Sequence, residues 1–330
     1  MTDRKRGAHS VSKTVELERR LLGLGGPLVS VVGVGTNSFG SRMPDEAVGQ
    51  VVDAALDRGI NLFDTADIYG RGESERLLGQ ALRGRRDRAL IATKFGMRRA
   101  GEDPAQHRGA PAYIRASAEA SLSRLGVEVI DLYQMHEPDP DTPIAESLGA
   151  LHELVLAGKV RWIGCSNFPS GQVVDANGTA SSLNLTPFVS AQDEYSLLNR
   201  EAERDLLPAL DHLGMRLLPY YPLARGLLTG KYKRGQQAPP GSRASHAGNS
   251  GMLDDQGKFD KVEALERFAE RRGLTLLQVA IGALLGRSQV GSVIAGATRP
   301  EQVVANVEAA SWTATEADWS ELDRVMAGPA

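Results

Sequence analysis

The sequence has only one cysteine, Cys165, among 330 residues. A single thiol excludes an intrachain disulfide and a zinc site built from several cysteines. Histidine is also scarce: there are six, and no two of them stand at the spacing of one helix face. We therefore predict no metal site.

An excess of charge of one sign and long apolar runs are also missing. The 38 Lys and Arg residues nearly balance the 41 Asp and Glu residues, so charge gives no reason to expect nucleic acid or an anionic membrane as a partner. No apolar run approaches the roughly 18 residues of a spanning helix. The basic start, MTDRKRGAHS, lacks the apolar stretch of a secretory signal. These absences predict a cytoplasmic, globular protein.

What the sequence does contain is an alternation of short apolar runs with longer helix-like stretches. The runs lack polar/apolar alternation, which indicates strands covered on both faces and hence a parallel sheet. Eight strand–helix units without a Ser/Pro-rich linker favour a closed (β/α)8 TIM barrel over two doubly wound domains. The eight runs are residues 29–35, 60–66, 89–95, 129–135, 160–165, 188–192, 215–220 and 292–295.

Several segments lie outside this alternation. Residues 1–13 are expected to be disordered, and residues 14–330 to form the barrel domain. Within that domain, residues 15–28 are expected to form an N-terminal hairpin beneath the barrel floor. Two long polar segments, 96–110 and 227–257, each follow a strand, so they are predicted to hang over the C-terminal face of the barrel.

Glycine-rich motifs do not by themselves identify the protein. Gly33, Gly35 and Gly40 resemble a dinucleotide-binding fingerprint, but the third glycine stands two residues late. The segment from Gly226 to Lys231 is one residue short of a phosphate-binding loop, so we reject that interpretation.

Four polar residues stand at or just beyond the ends of successive runs. Asp64 lies near the end of the second run and Tyr69 just beyond it, Lys94 lies near the end of the third, and His136 follows the fourth. In a (β/α)8 barrel these strand ends meet at one mouth. We expect Lys94, kept cationic by Asp64, to lower the pKa of the Tyr69 phenol from about 10. A phenol and an imidazole that both donate to one oxygen suit carbonyl reduction beside a bound hydride source.

The sequence resembles the aldo-keto reductase superfamily over nearly its whole length. The matching segments include Asn61-x-Phe63-Asp64-Thr65-Ala66-x-x-Tyr69-Gly70, Ile91-x-Thr93-Lys94, Asp131-Leu132-Tyr133-x-x-His136 and the segment from Gly158 to Phe168. The resemblance implies that Asp64, Tyr69, Lys94 and His136 are a catalytic tetrad, with Tyr69 as the proton donor.

The resemblance also implies an NADPH (NADP+) site. Ser166, Asn167 and Gln192 would bind the nicotinamide carboxamide, and Tyr220 would stack on its ring. The segment from Pro222 to Tyr232 resembles the pyrophosphate belt of the potassium-channel β-subunit branch, and Arg299 would bind a 2′-phosphate at a helix N-terminus. The full set of implied cofactor contacts is Gly35, Thr36, Asp64, Ser166, Asn167, Gln192, Tyr220, Leu223, Arg225, Gly226, Leu228, Lys231, Arg243, Gly296, Thr298, Arg299, Gln302 and Asn306.

The sequence therefore predicts an NADPH-dependent enzyme that reduces a small-molecule carbonyl substrate. One alternative is a keto-sugar or nucleotide-sugar reductase, and another is a cofactor-binding regulatory subunit with little turnover. A homo-oligomer is possible. Arginines of the two long loops could hold an anionic substrate or could be solvated charges: Arg98, Arg99, Arg108, Arg225, Arg234 and Arg243.

Overall fold

The computed structural model describes residues 17–98, 107–246 and 250–327, so the predicted disorder of residues 1–13 lies outside the described residues. None of the described helices is long and apolar enough to cross a bilayer. The strands are β1 (Arg19–Leu21), β2 (Leu28–Ser30), β3 (Val32–Gly35), β4 (Leu62–Asp64), β5 (Leu90–Phe95), β6 (Ile130–Met135), β7 (Val160–Ser166), β8 (Phe188–Glu194), β9 (Arg216–Tyr220) and β10 (Val293–Gly296). The helices are α1 (Asp45–Asp57), α2 (Glu73–Ala81), α3 (Pro111–Leu125), α4 (Ile144–Leu156), α5 (Ser170–Ser182), α6 (Leu206–His212), α7 (Gln256–Arg271), α8 (Leu276–Leu285), α9 (Pro300–Ala309) and α10 (Glu316–Ala327).

Eight parallel strands form one sheet in the order β10–β3–β4–β5–β6–β7–β8–β9. The two ends of this order meet at Leu217 of β9. Its N–H donates to the carbonyl of Gln289 at 2.7 Å, and its carbonyl accepts from the N–H of Gly291 at 2.9 Å. Helices follow most of the strands and cover the outside of the sheet, as expected for strands that are apolar on both faces. The predicted (β/α)8 barrel is confirmed.

An antiparallel hairpin of β1 and β2 precedes the barrel. Val29 of this hairpin is fully buried in a cluster with side chains of the barrel interior, as expected for a hairpin that closes the floor. The hairpin is displaced from the predicted 15–28, because its second strand takes the first residues of the run 29–35. Ser30 marks the break: its hydroxyl donates to the carbonyl of Val32 at 2.7 Å.

The segment after β9 is anchored by its own apolar core. Leu227, Leu228 and Tyr232 are buried in a cluster with Phe259 and Phe268 of α7. This anchoring holds the polar residues of the same segment at the C-terminal end of the barrel. The other long segment, after β5, lies partly outside the described residues.

Candidate active site

Four polar side chains meet at the mouth of the barrel, where β4, β5 and β6 end. Asp64 is the last residue of β4, Lys94 is the penultimate residue of β5, and His136 directly follows β6. Tyr69 begins a short 3-10 turn between β4 and α2. The carboxyl ends of parallel strands share one edge of the barrel, so residues far apart in sequence become neighbours there.

Asp64 and Lys94 form a buried ion pair. The Lys94 ammonium donates to Asp64 Oδ2 and to the Thr65 carbonyl, both at 2.8 Å, and its side chain has no exposed surface. The second carboxylate oxygen, Oδ1, accepts from Gln192 Nε2 at 2.8 Å. Burial lowers the pKa of Lys94, but Asp64 and Tyr69 outweigh burial and leave the pKa above its usual value. Lys94 is therefore a cation at neutral pH.

Tyr69 lies beside this cation, with Lys94 Nζ 5.1 Å from the centre of its ring. Gly70 lets the turn approach the loop after β3, since its φ is 56° and a Cβ there would lie 3.1 Å from the Gly40 carbonyl oxygen. The expected lowering of the Tyr69 pKa is wrong for this structure. Burial raises the pKa, and Lys94 opposes that rise only in part. The phenol is therefore protonated at neutral pH, which is the form that a proton donor needs.

His136 is the second hydrogen-bonding group near Tyr69, and the two ring centres lie 6.1 Å apart. Its Nδ1 is buried and has no partner among the described residues. Burial, with a contribution from Lys94, holds the pKa of His136 well below its usual value. The imidazole is therefore neutral and can donate one hydrogen bond, from whichever nitrogen carries the proton.

Asp64, Tyr69 and His136 line a cleft of about 780 Å3. The other predicted cofactor residues that line it are spread along the chain from Gly35 to Asn306. They are Gly35, Ser166, Asn167, Gln192, Tyr220, Leu223, Arg225, Gly226, Lys231, Arg243, Gly296, Thr298, Gln302 and Asn306. The fold thus brings most of the predicted contacts to the same cleft as the proposed tetrad, and their roles stay predictions.

Three predicted cofactor residues do not line the cleft. Thr36 is buried behind it, where its hydroxyl donates to the Asp64 carbonyl at 3.0 Å. Leu228 is fully buried in the apolar cluster against α7. Arg299 is exposed at the N-cap position of α9. Because of these positions, the Thr36 and Leu228 side chains serve packing, whereas Arg299 is still accessible to a ligand at the helix N-terminus.

Asn167 links the predicted nicotinamide residues to the mouth. Its Oδ1 accepts from the Tyr220 hydroxyl at 2.8 Å, and its Nδ2 donates to the His136 carbonyl at 2.9 Å and to Ser166 Oγ at 3.1 Å. Its φ of 60° is left-handed, a region that asparagine tolerates better than most residues. Gln192 and Asn167 therefore hold protein groups in place as well as facing the cleft.

A group of cations lines another part of the cleft, and we call it the cation cluster: Arg42, Arg225, Lys231 and Arg243. The guanidinium carbons of Arg225 and Arg243 lie 4.8 and 4.9 Å from the ring centre of Tyr221. Burial and the neighbouring charge of Arg243 lower the pKa of Arg42. Within the described part of the chain, no carboxylate forms an ion pair with any of the four. Such a concentration of unpaired cations fits the phosphates of a dinucleotide.

Sequence reasoning missed Arg42 and Tyr221 as residues of this cleft. Arg42 lies in the loop after the first barrel strand, so the strand-end rule that identified Asp64 could also have identified it. Tyr221 directly follows the end of β9 and has a left-handed φ of 50°. Only the folded structure shows that the guanidinium groups of Arg225 and Arg243 stack on the Tyr221 ring.

One group of described residues could bring three metal-ligand atoms together. His107, Asp139 and Asp141 have ligand atoms within 4.8 Å of one another. Asp139 Oδ2 accepts from the N–H of Gly109 at 2.6 Å and from the Thr142 hydroxyl at 2.8 Å. These hydrogen bonds tie the two loops together and account for the position of Asp139 without an ion.

Comparison with known proteins agrees with this geometry. The model of the aldo/keto reductase family matches residues 31–327. A protein described as a probable voltage-gated potassium channel subunit beta, from Arabidopsis thaliana, is 32% identical over 303 residues, which cover 89% of this chain and 91% of that protein. The solved structure of a glycerol dehydrogenase from Gluconobacter oxydans matches with a TM-score of 0.80 at 34% identity, covering 96% of each chain.

Proposed function

Because the chain belongs to the aldo/keto reductase family, we propose that it is an NADPH-dependent oxidoreductase that reduces aldehydes or ketones to alcohols. One observation carries the proposal. A protonated phenol, a neutral imidazole and a buried ion pair lie at one cleft that is also lined by four cations without an ion-pair partner among the described residues. This combination supports a proton donor that acts beside a phosphate-bearing cofactor.

The cleft would hold the cofactor through groups from several strands. The cation cluster would bind the pyrophosphate, and Thr298, Gln302 and Asn306 line the part near the start of α9, where the adenosine would lie. Arg299, exposed at that helix N-terminus, would bind the 2′-phosphate that distinguishes NADPH from NADH. When bound, the nicotinamide supplies the hydride that adds to the carbonyl carbon.

Side chains of the protein would transfer the proton and stabilise the developing negative charge. Tyr69 donates its phenolic proton to the carbonyl oxygen as that oxygen becomes an alkoxide, and His136 donates a second hydrogen bond to it. Lys94 then stabilises the resulting phenolate, because its ammonium lies against the Tyr69 ring. Asp64, itself held by Gln192, keeps the ammonium in place.

A second candidate is a cofactor-binding regulatory subunit, which the similarity to the Arabidopsis potassium-channel protein favours. That candidate predicts cofactor binding with little turnover. The proposed tetrad has all four groups in place, which supports catalysis instead. The other alternative, reduction of keto-sugars or nucleotide sugars, stays a prediction. A cytoplasmic location and a homo-oligomer stay predictions.

The experiment is a panel of aldehydes and ketones assayed with NADPH and with NADH, on the natural sequence and on Tyr69→Phe. We expect reduction by the natural sequence and a loss of about 10²–10⁴-fold in the variant, because one proton donor is removed. Cofactor affinity, measured by fluorescence titration, should be little changed in the variant. Equal turnover by the two proteins would contradict the role of Tyr69, and tight cofactor binding without any turnover would favour the regulatory subunit.

A further inference from the structure

The described residues that line the cleft carry charges of both signs. The cation cluster lies on the side proposed for the cofactor, whereas the residue that directly follows His136 is an acid, Glu137, and it lines the same cleft. Asp64 is the only other acid among the described residues that line the cleft, and it is paired with Lys94. Glu137 forms no ion pair with any described cation. Within the part of the chain that the structure describes, no cation neutralises the Glu137 carboxylate by direct contact.

The backbone fixes the Glu137 carboxylate without neutralising it. Its Oε1 accepts from the backbone N–H of Arg98 at 2.8 Å, while the Arg98 guanidinium turns to Asp141 at 3.3 Å. Pro138 follows and restricts the backbone of Glu137 to extended conformations. The second oxygen, Oε2, accepts no hydrogen bond from the described residues.

None of the described loop arginines that could have held an anionic substrate forms an ion pair with Glu137. Arg98 pairs with Asp141, and Arg234 pairs with Asp260 and Glu263. Arg225 and Arg243 stack on Tyr221 within the cation cluster. Arg108 is buried and does not line the cleft, and Arg99 lies outside the described residues.

From this arrangement we propose that Glu137 determines substrate specificity by accepting a hydrogen bond from a hydroxyl group near the carbonyl that is reduced. The substrates are then neutral hydroxyaldehydes or hydroxyketones, and carbonyl compounds that bear a carboxylate are disfavoured by repulsion. The inference rests on the proposed reductase function and adds the substrate class to it. A hydrogen bond to a charged acceptor in a partly open cleft corresponds to about a tenfold preference.

The test compares two matched pairs of aldehydes with NADPH: glyceraldehyde against propanal, and succinic semialdehyde against butanal. The ratio of kcat/KM within each pair is measured for the natural sequence, Glu137→Gln and Glu137→Leu. Comparing ratios between variants cancels the hydration of each aldehyde. Glu128→Gln serves as the control, since Glu128 is an exposed acid at the opposite end of the barrel and its loss changes the net charge equally.

We expect Glu137→Leu to lower the glyceraldehyde/propanal ratio by about tenfold, and Glu137→Gln to raise the succinic semialdehyde/butanal ratio by about tenfold. Glu128→Gln should keep both natural ratios. The inference is wrong if neither ratio moves in the Glu137 variants, or if the natural sequence prefers succinic semialdehyde to butanal. Absence of turnover on all four aldehydes by folded, cofactor-binding protein would overturn this inference, whereas the reductase function is overturned only if the panel of aldehydes and ketones also shows no turnover.

Discussion

Two carboxylates are buried in the same sheet, Asp64 at the mouth of the barrel and Asp131 near its floor. Asp131 accepts from the N–H of Ile91 at 2.8 Å, from Arg161 at 2.8 Å and from Arg86. Both of its arginines reach the surface, with side chains 29% and 54% exposed. The cation that pairs with Asp64 is a lysine with no exposed surface at all. A buried ion pair is thus not by itself a sign of catalysis.

The difference lies in what surrounds each pair. The ammonium at the mouth lies against a phenol, and close by is an imidazole whose Nδ1 has no partner in the described part of the chain. The arginines at the floor donate to Asp131, and Arg86 also donates to the backbone carbonyls of residues 89 and 129. Asp131 therefore stabilises the fold, whereas Asp64 keeps a cation next to a group that can transfer a proton.

The same substitution at the two sites should separate these roles most strongly. Asp64→Asn should lower kcat/KM for carbonyl reduction by about 10²–10³-fold, because the cation that stabilises the Tyr69 phenolate is no longer held in place. Asp131→Asn should leave the activity of folded molecules unchanged. Steady-state assays corrected for the folded fraction measure both. Equal losses of activity in the two variants would mean that Asp64 and Asp131 do not differ in their roles.

At the floor, loss of the carboxylate should reduce the stability of the protein instead of its activity. Asp131→Ala should lower the free energy of unfolding by about 2–3 kcal/mol, since two arginines and one backbone N–H lose their acceptor but the arginines can still be hydrated. Arg161→Ala should cost at most about 1 kcal/mol, because that side chain is largely exposed. Urea denaturation of both variants provides the comparison. If Asp131→Ala lowers the free energy of unfolding no more than Arg161→Ala does, the buried carboxylate of Asp131 is not the stabilising element.

A smaller effect is expected on cofactor affinity, which tests the proposed roles of two arginines at the mouth. Arg299→Ala should weaken NADPH by about tenfold and leave NADH nearly unchanged, whereas Arg243→Ala should weaken both cofactors alike. Arg88→Ala, near the floor, is the matched control and should change neither affinity. Fluorescence titration with each cofactor measures the constants. Should Arg299→Ala weaken NADH as much as NADPH, Arg299 does not bind the 2′-phosphate.

The smallest effect is the pH dependence of stability. His136 has a pKa well below its usual value because of burial and Lys94, so below about pH 6.5 the unfolded chain binds a proton that the folded one does not. The free energy of unfolding should therefore fall as the pH decreases, by at most about 1.4 kcal/mol per pH unit from this group. His136→Asn should show a shallower decline in denaturation experiments from pH 7 to 5. An identical decline would mean that His136 is charged in the folded protein.

The sequence by itself determined the barrel and the membership of the proposed tetrad. Apolar runs without alternation require strands covered on both faces, and in a barrel such strands carry their end residues to one mouth. Asp64, Lys94 and His136 could therefore be placed together from their positions relative to the runs. Tyr69 could be added to this group because only a short turn separates it from Asp64.

Only the tertiary structure decided the electrostatics of the site. The pKa of Tyr69 depends on burial as well as on Lys94, and burial cannot be read from sequence separation. The same limit applies to the exposure of Arg299, to the position of Arg42 beside Arg243 and to the presence of Glu137 in the cleft. Desolvation and Coulomb energies depend on distances through space, and these exist only after the loops of different strand–helix units have packed at the mouth.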